Sequence, residues 1–246
     1  MQLKNINETP PPLLKLTDAQ ILDYIKCPQY FMFRWKNKQL SSEQPTFHQL
    51  IKLIIDMYLS KLMDGKVMTM KQLKRQWDKL AEEYPLILTE KRILDGIGII
   101  NMLDRYCYNN KVIIADINSP YHINLDTNII VEGKIGPIRY NKNKLELFLI
   151  ETSQKMPDDF LLNMSLKITA QMYAAEKFLN CKLAGIHIYH IRSGKELYFN
   201  KTNKDYDRLI KNIKNVGYAI RNDIYYPRED FLCSQCKYKL YCGYTT

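Results

Sequence analysis

The spacing of apolar side chains divides the chain into helices first and strands later. Leu50, Ile51, Ile54, Ile55, Tyr58 and Leu59 recur at three- and four-residue intervals and predict a helix over 46–62, with His48 in its first turn. Leu73, Trp77 and Leu80 predict a second over 70–83, whose outer face carries Lys71, Lys74, Arg75 and Lys79. Ile93, Ile97, Ile100, Leu103 and Tyr106 predict a third over 88–108. At Lys111 the pattern shortens toward two: 112–116, 121–125 and 128–135 read as strands, 141–144 as a turn, and 145–152 as a mostly apolar strand. Pro157-Asp158-Asp159 opens a helix to about 179, because proline suits a first turn and acids suit its positive end. Strands at 183–191 and 196–200 flank the turn Arg192-Ser193-Gly194. A last helix at 203–221 turns Leu209, Ile210, Ile213 and Ile220 inward and Lys204, Arg208 and Lys211 outward.

The two ends of the chain read differently. Residues 1–13, with Pro10-Pro11-Pro12, form an extended arm. Thr17 and Gln20 make a capping box for a helix bearing Ile21, Tyr24 and Ile25, which stops near Cys27 because Pro28 disfavours continuation. Pro28 begins a further helix through Tyr30, Phe31, Phe33 and Trp35, an aromatic stretch suited to packing around Cys27. At the other end Cys233, Cys236 and Cys242 follow the spacing C-x2-C-x5-C. A C-x2-C turn brings two thiolates to one centre, the third follows after about a helical turn and a half, and Cys27 supplies a fourth soft ligand. Four thiolates suit zinc or an iron–sulfur cluster. Such a site would clasp the two ends of the chain. Cys107 and Cys181 read as apolar fillers.

Composition narrows the class. The 246 residues carry a formal net charge of +10, which favours a polyanionic partner, nucleic acid before a membrane surface. No apolar run approaches twenty residues and no charged-then-apolar leader is present, so the expectation is neither membrane-spanning nor secreted. Six cysteines in such a chain point to a reducing, cytoplasmic setting, or to a phage or viral particle or its host cell. Without a repeat or a domain-scale linker, the reading is one α/β domain over 1–246. It comprises a helical lobe at 14–110, a sheet-containing core at 111–222 and a cysteine-rich closing segment at 223–246.

The order of these motifs resembles the RecB-like branch of the PD-(D/E)XK nuclease superfamily. It is most similar to the four-cysteine members, the CRISPR-adaptation exonucleases and the nuclease domain of AddB. The resemblance covers nearly the whole chain. It rests on Leu16-Thr17-Asp18-Ala19-Gln20-Ile21-Leu22-Asp23-Tyr24-Ile25-Lys26-Cys27-Pro28 at the start, Phe47-His48-Gln49-Leu50, the strands from Asp116 to Gly133, Gln171-Met172-Tyr173, and the closing cysteines. It implies a restriction-endonuclease-like core, a mixed central sheet flanked by helices, with a helical lobe and a cysteine clasp. It also implies a 4Fe-4S cluster on Cys27, Cys233, Cys236 and Cys242, with zinc as the alternative.

The implied catalytic centre departs from the family pattern. Active members place an aspartate where this chain has Gly136, and a lysine where it has Ser153. His48, Glu151 and Gln171 remain. On strand alternation Glu132 and Lys134 share the face of Gly136, and Lys155 that of Ser153, but Glu132 would stand about 13 Å from the vacant position. Asp116 is a further carboxylate on a neighbouring strand. The expected function is therefore a DNA-binding or structural subunit of a DNA-processing or phage assembly, with a disabled nuclease fold. Sequence-independent phosphate contacts would come from Arg139, Lys142, Lys144, Lys155, Arg208 and Lys211, and other protein subunits are expected partners. The alternative is an active DNA exonuclease using magnesium or manganese at a rearranged centre.

Overall fold

The computed structural model describes residues 12–38, 44–126 and 128–243. The proline-rich stretch through Pro11 lies outside them. The elements are β1 (Leu14–Thr17), α1 (Asp18–Lys26), α2 (Pro28–Phe31), α3 (Phe47–Met63), α4 (Met70–Glu83), α5 (Glu90–Asn109), β2 (Ile113–Asp116), β3 (Pro120–Asp126), β4 (Ile129–Lys134), β5 (Ile138–Asn141) and β6 (Lys144–Glu151). They continue with α6 (Asp159–Met164), α7 (Leu166–Leu179), β7 (Ile186–His190), β8 (Lys195–Phe199), α8 (Asn203–Arg221) and α9 (Lys239–Cys242). A π-helical turn extends α2 over Met32–Lys36, and a 3-10 turn spans Phe231–Gln235. The protein is thus α/β, with mixed sheets and flanking helices.

The chain forms two compact units that interleave along the sequence, and the divisions fall elsewhere than at 110 and 222. The first comprises Met1–Ser41, Pro120–Gly133 and Asn203–Thr246; the second comprises Ser42–Ser119 and Lys134–Thr202. In the first, β1, β4 and β3 lie side by side in that order, with β1 parallel to β4 from Leu14 opposite Ile129 to Thr17 opposite Glu132. Helix α8 packs Gly217 so tightly against Ile129 and Leu14 that an added methyl would collide with the isoleucine. At the end of α8 the Arg221 guanidinium donates to the carbonyls of Pro12 and Asn128, at 3.2 and 2.5 Å. The capping box expected at Thr17 is present: Gln20 N–H donates to the Thr17 hydroxyl oxygen at 3.3 Å, and Thr17 N–H to the Gln20 side chain at 2.8 Å.

In the second unit five strands run in the order β2-β5-β6-β7-β8. All neighbours are antiparallel except β6 and β7, which run parallel from Leu147 opposite Ile186 to Glu151 opposite His190. A parallel pair needs a crossover, and α6 and α7 supply it. The single helix expected over 157–179 is divided, because Ser165 ends α6 in extended geometry and caps α7 through Ile168 N–H. Strand β5 was not legible as a strand, and neither was β1. Four residues each are too few to establish an alternation. Helices α3, α4 and α5 bury Leu50, Ile54, Leu59, Trp77, Ile99 and Leu103 in one core with Phe148, Tyr189 and Ile191. Gly96 lies against the Trp77 indole with no room for a methyl group.

A buried polar network sits beside that core. Arg139, expected to face DNA, is instead only 6% exposed, and its Nε donates to Glu146 Oε1 at 2.6 Å. Its Nη1 donates to the Tyr106 hydroxyl, which donates in turn to Glu196 at 3.0 Å. A guanidinium committed to a buried carboxylate is not available to a phosphate, so Arg139 is a structural cation. His187 is fully buried beside it, stacked on Tyr198 at 4.2 Å between ring centres. Glu196 Oε2 approaches its Nε2 to 2.7 Å and Glu146 Oε1 its Nδ1 to 3.7 Å, but among the described residues neither approach has the alignment of a hydrogen bond.

Burial, reinforced by the Arg139 charge, pushes the His187 imidazole down to about 4 from an ordinary 6.5. The unfolded chain therefore takes up a proton first as pH falls. The stability owed to neutral His187 is complete above about pH 6.5 and is lost on descending toward pH 4. Urea midpoints at pH 7 and pH 5 should differ less for His187→Phe than for the parent protein.

Candidate functional site

Two groups of side chains carry chemistry, one in each unit. In the second unit, Glu151 closes β6 and is half-buried. Its Oε1 accepts the Ser153 N–H at 2.8 Å. Thr46 caps α3 in a box with Gln49, which places His48 in the first turn. The His48 Nδ1 shares a hydrogen bond of 2.8 Å with the hydroxyl of Thr152, the residue after Glu151. Gln171, on α7, accepts the Gly136 N–H at 2.7 Å through Oε1, and donates to the Lys134 carbonyl at 3.4 Å through Nε2.

The two departures from the family pattern have local structural counterparts. A Cβ at Gly136 would lie 3.2 Å from Gln171 Oε1 and 3.4 Å from both Leu147 and Leu149. By strand alternation those leucines share their face of β6 with Glu151. Gly136 thus stands over that face, and the Gln171 oxygen occupies the space beside it. Ser153 donates its hydroxyl to the Lys155 carbonyl at 2.7 Å. Strand alternation does not relate Glu132, Lys134 or Lys155 to those two positions. β4 ends at Lys134 and β6 at Glu151, so neither Gly136 nor Ser153 belongs to a strand. Asp116 accepts the Ser119 hydroxyl at 2.6 Å.

Sequence reasoning missed the residues that brace the Glu151 strand end. His190 Nε2 donates to the Ser153 carbonyl at 2.9 Å and its Nδ1 meets the Ser193 hydroxyl at 2.7 Å. Arg192 Nε donates to the Thr152 carbonyl at 3.1 Å, while its other two nitrogens grip both Asp95 oxygens at 2.8 and 2.6 Å. The guanidinium holds the Asp95 carboxyl below the usual carboxylate range. Only the turn signal at residues 192–194 hinted at this segment, and it gave no partner. Lys142, Lys144 and Lys155 are exposed in this unit, as are Arg208 and Lys211 in the first. Arg208 is paired to Asp205 at 3.3 Å.

In the first unit the four expected thiols line one cavity. Cys27 sits between α1 and α2, with Pro28 opening the second helix. Successive backbone bonds from Cys236 to Cys233, from Lys239 to Cys236 and from Cys242 to Tyr238 fold the closing segment back on itself. The result is a cavity of about 270 Å³ lined by Cys27, Cys233, Cys236 and Cys242 together with Tyr30 and Tyr238. Two amides point at sulfur: Arg228 N–H to Cys27 and Asp230 N–H to Cys233, each at 3.5 Å. Tyr238 is 1% exposed, and its buried hydroxyl has no hydrogen-bond partner among the described residues. Also among the described residues, no three His, Cys, Asp or Glu side chains are gathered as a ready-made ion site. The donor set, the room between the thiols and the unsatisfied phenol fit a group held in the cavity by several separate contacts. Cys107 is buried and its thiol is pushed up to about 12 by burial. Cys181 is exposed after α7, so it is not the core filler expected.

No protein-family model matches the chain, and no curated protein matches it. Among solved structures, the crystal structure of SSO0001 is similar over 78% of this chain and 96% of its own, at 12% identity and a TM-score of 0.42. That likeness is too distant to assign a fold or an activity. No described helix is long and apolar enough to cross a membrane.

Two outcomes follow from this geometry. Arg192→Ala should lower unfolding stability by about 1–3 kcal/mol, the usual cost of losing hydrogen bonds to a charged group, as read from urea midpoints. Tyr238→Phe should leave the protein as stable as the parent or about 1 kcal/mol more so by urea midpoint, since an unsatisfied hydroxyl is removed.

Proposed function

We propose that the chain is a DNA-binding protein with a RecB-like PD-(D/E)XK nuclease fold, a disabled catalytic centre and a four-thiolate 4Fe-4S site. The observation that carries this reading is the meeting of Cys27 with Cys233, Cys236 and Cys242 on one cavity. Sequence resemblance named those four thiols as a set, and their shared cavity supports that reading. A cluster bound there supplies a rigid inorganic cross-link. The chain's own part is to present four sulfurs, two N–H donors and the Tyr238 hydroxyl around one space.

The disabled centre is supported by the chemistry at Gly136 and Ser153. Metal-assisted phosphodiester hydrolysis needs carboxylates to hold the ion and a cation to steady developing charge. Here one carboxylate, Glu151, stands with His48 nearby, and the lysine position is a serine bonded to its own loop. The +10 net charge and the exposed Lys142, Lys144, Lys155, Arg208 and Lys211 support a polyanionic partner whose grip falls with salt. Other subunits of a DNA-processing or phage assembly are the proposed protein partners, and a reducing compartment is the proposed setting.

A second reading is an active, divalent-metal-dependent DNA exonuclease. It is favoured by the bond that keeps His48 on the residue next to Glu151. Anaerobically purified protein is expected to be brown, with iron and sulfide in near-equal amounts, and to bleach in the Cys27→Ser variant. A colourless zinc protein overturns the cluster but keeps the thiol site. With magnesium or manganese, no cleavage of labelled DNA is expected. Cleavage that disappears in Glu151→Ala would establish the second reading instead.

A further inference from the structure

At the turn between β7 and β8 a serine and a histidine meet in a way that bracing a strand end does not require. Ile191, Arg192, Ser193 and Gly194 form that turn, closed by the Gly194 N–H bond to the His190 carbonyl at 2.9 Å. His190 ends β7 and is 1% exposed, whereas Ser193 is open to solvent. To donate to the Ser153 carbonyl at 2.9 Å, the His190 Nε2 carries the ring proton. A neutral imidazole then has a lone pair on Nδ1, and the Ser193 hydroxyl donates to it at 2.7 Å. Burial of the ring keeps water from competing for that lone pair.

Ser193 Oγ also accepts the Lys195 N–H at 3.3 Å. That bond is the ordinary way in which a turn serine holds its own backbone, and it needs no histidine. The bond to a buried imidazole of fixed tautomer comes in addition. One partner draws on the hydroxyl proton while the other donates to its oxygen, and both favour the alkoxide. The turn is anchored on the strand beside it. Ile191 N–H bonds the Glu151 carbonyl at 3.0 Å, and Arg192 bridges the Thr152 carbonyl and Asp95. Gly194 has φ +70°, and among the described residues only its chain neighbours come within 4 Å of where a side chain would begin. The approach beside Ser193 is therefore unobstructed.

We infer that Ser193 is a nucleophile, with His190 as its base, that takes the acyl group of a reactive ester. The hydroxyl oxygen adds to the ester carbonyl carbon while its proton passes to His190 Nδ1. The Ser153 carbonyl steadies the resulting imidazolium through Nε2–H. The bond from that carbon to the leaving oxygen then breaks, and the leaving group departs with the Nδ1 proton as a free alcohol. The chain gains an O-acyl serine and the ester loses its alcohol, with no change of oxidation state. An open turn has no walls, so it selects by the reactivity of the ester and not by its shape. The inference stands apart from the DNA reading and from the thiol cavity.

The test treats the full chain as isolated with a fluorophosphonate, which bonds activated serines by loss of fluoride, and follows it by intact mass and peptide mapping. One adduct on Ser193 is expected, with none in Ser193→Ala and none in the urea-unfolded chain. With p-nitrophenyl acetate, Ser193 should gain an acetyl group that hydroxylamine removes, unlike an amide on lysine. Both reactions should be slower in D2O, because the hydroxyl proton is in transfer as the new bond forms. His190→Gln should slow them by about a hundredfold or more and remove the D2O effect, since general-base assistance contributes about 10²–10⁴-fold. The solvent effect is read on the parent protein, so it decides the matter even where the histidine variant fails to fold. No adduct at Ser193, equal labelling of the unfolded chain, or a rate unchanged in D2O overturns the inference, and none of these touches DNA binding.

Discussion

Cys27 can reach the other three thiols only if the chain returns, some two hundred residues later, to the junction between α1 and α2. The return is held at several points within the first unit. Tyr24 donates its hydroxyl to the Ile224 carbonyl, Gln29 N–H bonds the Tyr226 carbonyl, and Arg228 reaches the Ile25 carbonyl. Phe31 stacks on Tyr225 at 6.1 Å. Arg228 N–H then donates to the Cys27 sulfur from 201 positions downstream. These contacts bring the backbone together through aromatic packing and ordinary hydrogen bonds. The thiol cavity is built on them.

In the second unit the end of β6 is held by bonds to backbone atoms. His190 and Arg192 hold the carbonyls of Ser153 and Thr152, and Ile191 N–H bonds the Glu151 carbonyl. The strand end bearing Glu151 is braced by the parallel strand beside it. Those bonds depend on backbone carbonyls and on the second unit's own core of leucine and isoleucine, none of which needs an aspartate at 136. With glycine there, the Gln171 oxygen takes the backbone N–H and the gap is closed by a neutral group.

Much of this was legible from the sequence where the signal was long or chemically specific. The helices at 70–83 and 203–221 were read with the bounds observed, because their apolar stripes run for several turns. The capping box at Thr17 was legible because the spacing of a hydroxyl and an amide constrains what such residues can do. Strands β1 and β5 escaped because four residues carry no period. Arg139 was misread because a lysine-rich chain invites every cation to be placed on the surface, and nothing local marks Glu146 as its partner. The bracing by His190 and Arg192 was hidden for a physical reason. It joins residues about forty positions apart through backbone acceptors, which every sequence has everywhere. The division at Ser165 was hidden too, since one serine serves as the end of α6 and the cap of α7.

The interleaving of the two units has a consequence for how the protein is made. Every segment of the second unit has been synthesised once residue 202 emerges, so its sheet and helices can fold on the ribosome. Strand β1 emerges early, yet its neighbour β4 begins at residue 129, and the turns carrying Cys233 and Cys242 come later still. At about 5–20 residues per second, Cys27 waits roughly 10–40 s for its companions. During that interval the Cys27 thiol and the aromatic side chains of α2 are without the closing segment that covers them. The nascent chain, rather than the finished molecule, is then where this protein is most vulnerable.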